Sequence, residues 1–168
     1  MQPYVHAAVG LVLAEAFFPD DLGLQFGVVA ASVLPDVPTA VEYVKDVLRK
    51  EKPFEKPSRL FFLVQDITHS FVVWAIFALA ALLHLVFLPL FVGGFVHILI
   101  DWLSHKNEKY KAEDPRWIWP LPWNIYGGLF EYREWSWERT QGLKRFFSPI
   151  EVGITIACIL IFVLLGIF

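Results

Sequence analysis

The sequence predicts an all-α integral membrane protein: a helical bundle with four to five apolar helices, one amphipathic surface helix and a long Trp/Pro-rich polar loop. Three observations carry this. Hydrophobic residues make up 57% of the 168 residues and the mean hydropathy is +0.53, too apolar for an ordinary soluble domain. The apolar residues fall in runs of helical length, separated by Pro/Asp turns and charged linkers. Sixteen Phe and seven Trp suit a surface that faces lipid and anchors at its interfaces.

Taken in order, Pro3 to Phe18 forms a first apolar helix, closed by Phe18-Pro19-Asp20-Asp21. It is short for a span of about 20 residues, and His6 and Glu15 place it inside the protein or in a re-entrant segment. Leu22 to Leu34 is a second, with small residues that permit close helix packing. It stops at Leu34-Pro35-Asp36-Val37-Pro38, which puts Asp36 on a rigid turn. Residues 39–51 alternate apolar and charged groups at helical spacing and read as an amphipathic helix on the membrane surface. A basic, proline-containing linker covers 52–59. Leu60 to about Leu83 is long enough to span, with a polar insert Gln65-Asp66-Ile67-Thr68-His69-Ser70. After a turn at 84–89, Leu90 to Trp102 returns, completing a helical hairpin. A polar loop occupies 105–148, and Ile150 to Phe168 is a final transmembrane helix, so the chain divides into an embedded domain at 1–148 and a C-terminal helix at 149–168.

Charge sets an expected orientation. Segment 45–59 carries six Lys/Arg, loop 105–148 carries eight, and the 84–89 turn carries none. Both basic segments should face the cytoplasm. A net charge of −3 with no basic stripe gives no reason to expect nucleic-acid binding. The single Cys158 excludes a disulfide framework and a CxxC zinc site. The N-terminus lacks the basic start of a cleavable signal peptide.

Any metal site must therefore use His, Asp and Glu. The apolar stretch Gly93 to His105 carries three such groups four residues apart, His97, Asp101 and His105. Steps of four keep them on one helix face, drifting about 40° each time. Each is costly in an apolar helix unless something satisfies it. The expected orientation brings His6, Asp36 and His69 to the same membrane level, with Asp66 in reserve. Imidazole nitrogen with carboxylate oxygen suits Zn²⁺, with Mn²⁺ or Fe²⁺ as alternatives, as one or two ions. Plainer roles stand beside this: His6 or His105 as interfacial groups, Asp36 as a turn residue, Thr68-His69-Ser70 bonded to helix backbone, and His97 with Asp101 as a neutral structural pair. His84, at the opposite turn, falls outside the set, and the tryptophans read as an interfacial belt.

The order His6, Leu34-Pro35-Asp36, Thr68-His69-Ser70, Gly94-x-x-His97-x-x-x-Asp101 and Trp119-Pro120-Leu121 resembles the YdjM-type membrane-bound metal-dependent hydrolases. Through them it is similar to the zinc-dependent bacterial phospholipase C core. The resemblance implies an inner-membrane enzyme in which His6, Asp36, His69, His97 and Asp101 hold metal. His105, after Ser104, matches a Thr-His found in some members. Two departures stand out. Pro38 occupies the place of a second acidic residue, and Val64-Gln65-Asp66 replaces His-Arg-Gly; by helix spacing, and not by the resemblance, Asp66 one turn from His69 is the expected replacement for a lost ligand. On this reading Asp36 acts as general base, Arg116 binds phosphate, and the substrate is a phosphoester reached from membrane lipid. A haem protein with two axial histidines and a non-catalytic membrane scaffold are the competing classes.

Overall fold

The computed structural model describes residues 3–50, 57–104, 117–121 and 149–166. Among these the regular secondary structure is all helical, with seven α-helices and two short 3-10 turns and no strand.

Helix α1 (Pro3–Phe17) and α2 (Leu22–Val33) form an antiparallel pair. The turn between them is closed by Asp21, whose carboxylate accepts the Leu24 amide at 3.0 Å and satisfies one free donor of the new helix. Glu15 is satisfied locally: Gln25 Nε2 donates to its carboxylate at 3.0 Å.

The Pro35/Pro38 turn does not end the second helix as expected. Leu34–Asp36 tightens into one 3-10 turn and the chain continues as α3 (Val37–Leu48), so Leu22–Leu48 is one helical stretch of 27 residues, apolar and long enough to cross a membrane. Prolines remove amide donors and crowd the preceding turn, and a 3-10 turn absorbs both without a change of course. The surface-helix expectation is corrected in a second respect. The charged side of α3 faces inward: Glu42 and Asp46 are buried, and Glu42 accepts from Lys45 and from the Ser58 amide at 2.8 Å. Val37, Val41, Val44, Val47 and Leu48 face outward.

The expected single span from Leu60 to Leu83 is two helices. Helix α4 (Arg59–Thr68) and α5 (Phe71–Leu83) meet at 47° across His69-Ser70. Each has its own serine cap: Ser58 Oγ accepts the Phe61 amide at 3.1 Å, and Ser70 Oγ accepts the Val72 amide at 3.2 Å. A serine that offers the backbone an alternative partner favours a helix start over a helix interior. The groups freed at the break are also covered. Trp74 Nε1 donates to the Thr68 carbonyl at 2.8 Å, and the Phe71 amide donates to the Trp117 carbonyl at 2.7 Å.

His84 and a 3-10 turn at Leu85–Phe87 lead into α6 (Leu88–Ser104), which runs parallel to α2. The helices approach closely because α6 carries Gly93. A Cβ there would overlap the Val28 carbonyl oxygen and lie 2.9 Å from both the Ala31 Cβ and the Ser32 nitrogen. Gly94, on the adjacent face, makes room for the Trp74 ring. Helix α7 (Pro149–Leu165) packs along α1, with Tyr4 Oη donating to Glu151 at 3.4 Å. Leu85–Ser104 also meets the length and apolarity of a span, and the bent α4/α5 pair is a third if taken as one crossing; α1 and α7 are shorter apolar helices.

Candidate metal centre

Three chain segments meet at one level. Asp36 lies on the 3-10 turn after α2, His69 in the break between α4 and α5, and His97 and Asp101 one turn apart on α6. One donor atom from each lies within 4.8 Å of all the others. His97 Nε2 is 3.3 Å from Asp101 Oδ2 and 3.8 Å from Asp36 Oδ1; His69 Nε2 is 3.8 Å from Asp101 Oδ2. Donors about 2.1 Å from a tetrahedral ion stand about 3.4 Å apart, so these separations are close to those of a filled site. His69, His97 and Asp101 are buried, and Asp36 is the most open of the four, its side chain 14% exposed.

The backbone fixes which nitrogen each histidine presents. His97 Nδ1 is 2.7 Å from the Ser32 carbonyl oxygen, and His69 Nδ1 is 3.1 Å from the Gln65 carbonyl oxygen. A carbonyl only accepts, so each Nδ1 carries the proton and donates. In the neutral rings Nε2 then offers a lone pair, and both lone pairs point at carboxylates. His97 Nε2 is buried and has no hydrogen-bond partner. Lone pairs facing anions in an apolar interior are unfavourable unless a proton or a metal cation lies between them. Histidine ligands of metals commonly donate their other nitrogen to a carbonyl in this way, which fixes tautomer and ring orientation. The donor set, two imidazoles and two carboxylates, therefore fits a divalent ion.

His6 sits beside this group and is not one of the four. Its ring stacks on His97 with centroids 3.7 Å apart, and its Nε2 is 3.1 Å from Asp101 Oδ1, whereas His69 and His97 face Oδ2. The Asp101 carboxylate thus joins the two places. Asp66 is one turn back on α4 and outside the four-donor group. His105 and Arg116 lie outside the described residues.

Several determinants of this geometry escape a reading for ligands. The Trp117–Leu121 segment docks on the α4/α5 break: Ser70 Oγ donates to the Trp119 carbonyl at 2.6 Å, and the Trp117 ring packs edge-on to His69 at 6.2 Å. Trp117 is buried with Trp74 and Ile98 in the core beneath the site, so it is not part of an interfacial belt. Ser32 and Gln65 act through their carbonyls, which no side-chain pattern announces. Gly93 and Ser70 are visible signals, a glycine pair in an apolar helix and a serine at a helix start.

The family model for the YdjM inner membrane protein matches residues 1–168, the length of the chain. The chain belongs to the YdjM inner membrane protein family. No curated protein and no solved structure matches it. The family's description as an inner membrane protein and the two to three helices of spanning length among the described residues both fit a membrane protein.

Proposed function

We propose that this YdjM-family protein is a metal-dependent hydrolase of the inner membrane, with Zn²⁺ as its metal and a phosphoester, such as that of a phospholipid, as its substrate. The observation that carries the reading is the convergence of two imidazole lone pairs and two carboxylates, with both histidines locked by backbone carbonyls. When bound, a divalent cation there would supply a Lewis acid and lower the pKa of water towards about 7.

The residues have separable tasks. His69, His97 and Asp101 are the buried holders. Asp36 is more exposed and sits on a constrained turn, which suits the proton-accepting role of a general base. His6, against Asp101 Oδ1, orients that carboxylate, or joins it in holding a second ion. Arg116 stands next in sequence to the docked Trp117 and is the proposed phosphate-binding cation; His105 is the proposed contact to a second ion or to substrate. The phosphoester class rests on the likeness of the His/Asp order to the zinc-dependent phospholipase C core. The Lys/Arg content of segments 45–59 and 105–148 supports a cytoplasmic position for Arg116 and His105.

The test is metal analysis of protein purified without chelator, for wild type, His97→Ala and Asp101→Ala, followed by hydrolysis of phospholipid and of soluble phosphoesters. The expected result is about one equivalent or more of zinc in wild type, little in either variant, and zinc-dependent release of phosphate or phospho-headgroup. Equal metal in all three proteins refutes the site and leaves a scaffold as the function. A haem absorption band refutes it in favour of the haem reading.

A further inference from the structure

The helices of the bundle all run from the metal level to the same far end. The α1/α2 turn and the α5/α6 turn both lie there, and Gly27 meets Pro89 near it. At 1.5 Å per residue, about 21 Å of helix separates Leu22 from Asp36, about 20 Å separates Leu88 from Asp101, and α5 is about 18 Å long. The hydrocarbon core of a bilayer is about 30 Å thick. The bundle below the metal level therefore falls about 10 Å short of it. The α3/α4 hairpin rises well past that level, with Ser58 beside Glu42 and Thr68 Oγ1 3.4 Å from the Pro35 carbonyl.

The hairpin is polar inside and apolar outside. Glu42 and Asp46 are turned inward and buried, whereas Val41 is 61% and Leu48 78% exposed, with Val37, Val44 and Leu60 exposed beside them. A helix bordered by water would turn these faces the other way. The outer face also continues the exposed apolar line of α2, from Leu22 and Phe26 through Leu34. It ends at a basic group: Arg49, Lys50 and Arg59 are exposed. An apolar wall closed by lysine and arginine is the pattern of a segment that ends at lipid headgroups.

We propose that the outer face of α3, made by Val37, Val41, Val44 and Leu48, is embedded in the acyl chains of the bilayer, so that the four-donor group lies inside the membrane, below the headgroups. Leu48 stands about 18 Å beyond Asp36 along the helix, which more than makes up the missing thickness. The buried Glu42 and Asp46, with the half-buried Lys45 between them, then form the polar lining on the protein side of that wall. The proposal rests on membrane placement alone and holds whether or not the group hydrolyses anything.

The test is site-directed spin labelling in liposomes, on a Cys158→Ser background, with single cysteines at Val41, Val44 and Leu48. Leu160 in α7 is the lipid-facing reference and Lys50 the aqueous one, both exposed. Labels at Val41 and Val44 are expected to collide with oxygen within about twofold of Leu160 and to be shielded several-fold from a water-soluble nickel chelate relative to Lys50. The oxygen-to-nickel ratio should fall from Val41 to Leu48. Nickel accessibility like that at Lys50 overturns the proposal, since the face is then in water. Exclusion of both reagents also overturns it, since protein, such as a second copy of the chain, then covers the face. The three positions are independent and exposed, and a retained thermal transition shows that each labelled protein is folded.

Discussion

Replacing Gly93 with alanine tests the link between helix packing and the metal site. The new methyl would meet the Val28 carbonyl oxygen and lie 2.9 Å from the Ala31 Cβ, where carbon atoms prefer about 3.5–4.0 Å. Helices α2 and α6 must separate by about 0.6–1 Å to accept it. The Ser32 carbonyl rides on α2 and His97 on α6, so their 2.7 Å hydrogen bond stretches to about 3.3–3.7 Å and is largely lost. Two effects are expected. Overpacking lowers stability by about 1–3 kcal/mol. Loss of the partner that orients a metal-binding histidine weakens metal affinity by about 10- to 100-fold. The assay pairs a thermal melt in detergent without metal with zinc competition against a calibrated chelator. Val28→Gly in the Gly93→Ala background is not expected to restore affinity, because the obstructing atom is a backbone carbonyl. Wild-type affinity and an unchanged melt in Gly93→Ala would refute the claim that close α2/α6 approach sets His97.

Other substitutions separate the roles of the remaining groups. Ser70→Ala removes both the cap of α5 and the bond to the Trp119 carbonyl; it is expected to lower stability by about 1–2 kcal/mol in the same melt and to weaken zinc binding more than Ser58→Ala, which caps α4 away from the site. Trp117→Leu opens space under His69 and is expected to cost about 2–4 kcal/mol, with metal stoichiometry retained at saturating zinc. Chelator treatment should lower the melting temperature of wild type but not of Asp101→Ala, since a ligand present at about 100 times its dissociation constant stabilises by about 2.7 kcal/mol. His6→Ala, which leaves the four donors in place, is expected to reduce affinity for the first zinc less than His97→Ala does; equal losses would place His6 among the primary ligands.

Much of the site was legible along the chain because the membrane makes polar groups conspicuous. His97 and Asp101 stand out in Leu88–Ser104 for the same reason that they need each other: an isolated imidazole or carboxylate there has no water to bond. Proline positions marked the turn that carries Asp36, and the polar insert around Thr68-His69-Ser70 marked the third segment. Composition and periodicity likewise determined an all-helical membrane protein, and helix limits agree to within about two residues for Pro3–Phe17, Leu22–Val33 and Leu88–Ser104.

Only the tertiary structure decided how these pieces meet. Whether a Pro-Asp-Val-Pro turn ends a helix or merely tightens it depends on what the following segment packs against, and burial of Glu42 against the start of α4 carries α3 onward in line. Whether a serine interrupts a span depends on partners for the freed backbone, and those come from Trp74 on the next helix and from the carbonyl of the distant Trp117. The same dependence on distant partners separates His6 from the four donors. Spacing along one helix is a local property and can be read from sequence. Which oxygen of Asp101 each histidine faces is set by the approach of three other segments, and that is a property of the folded molecule alone.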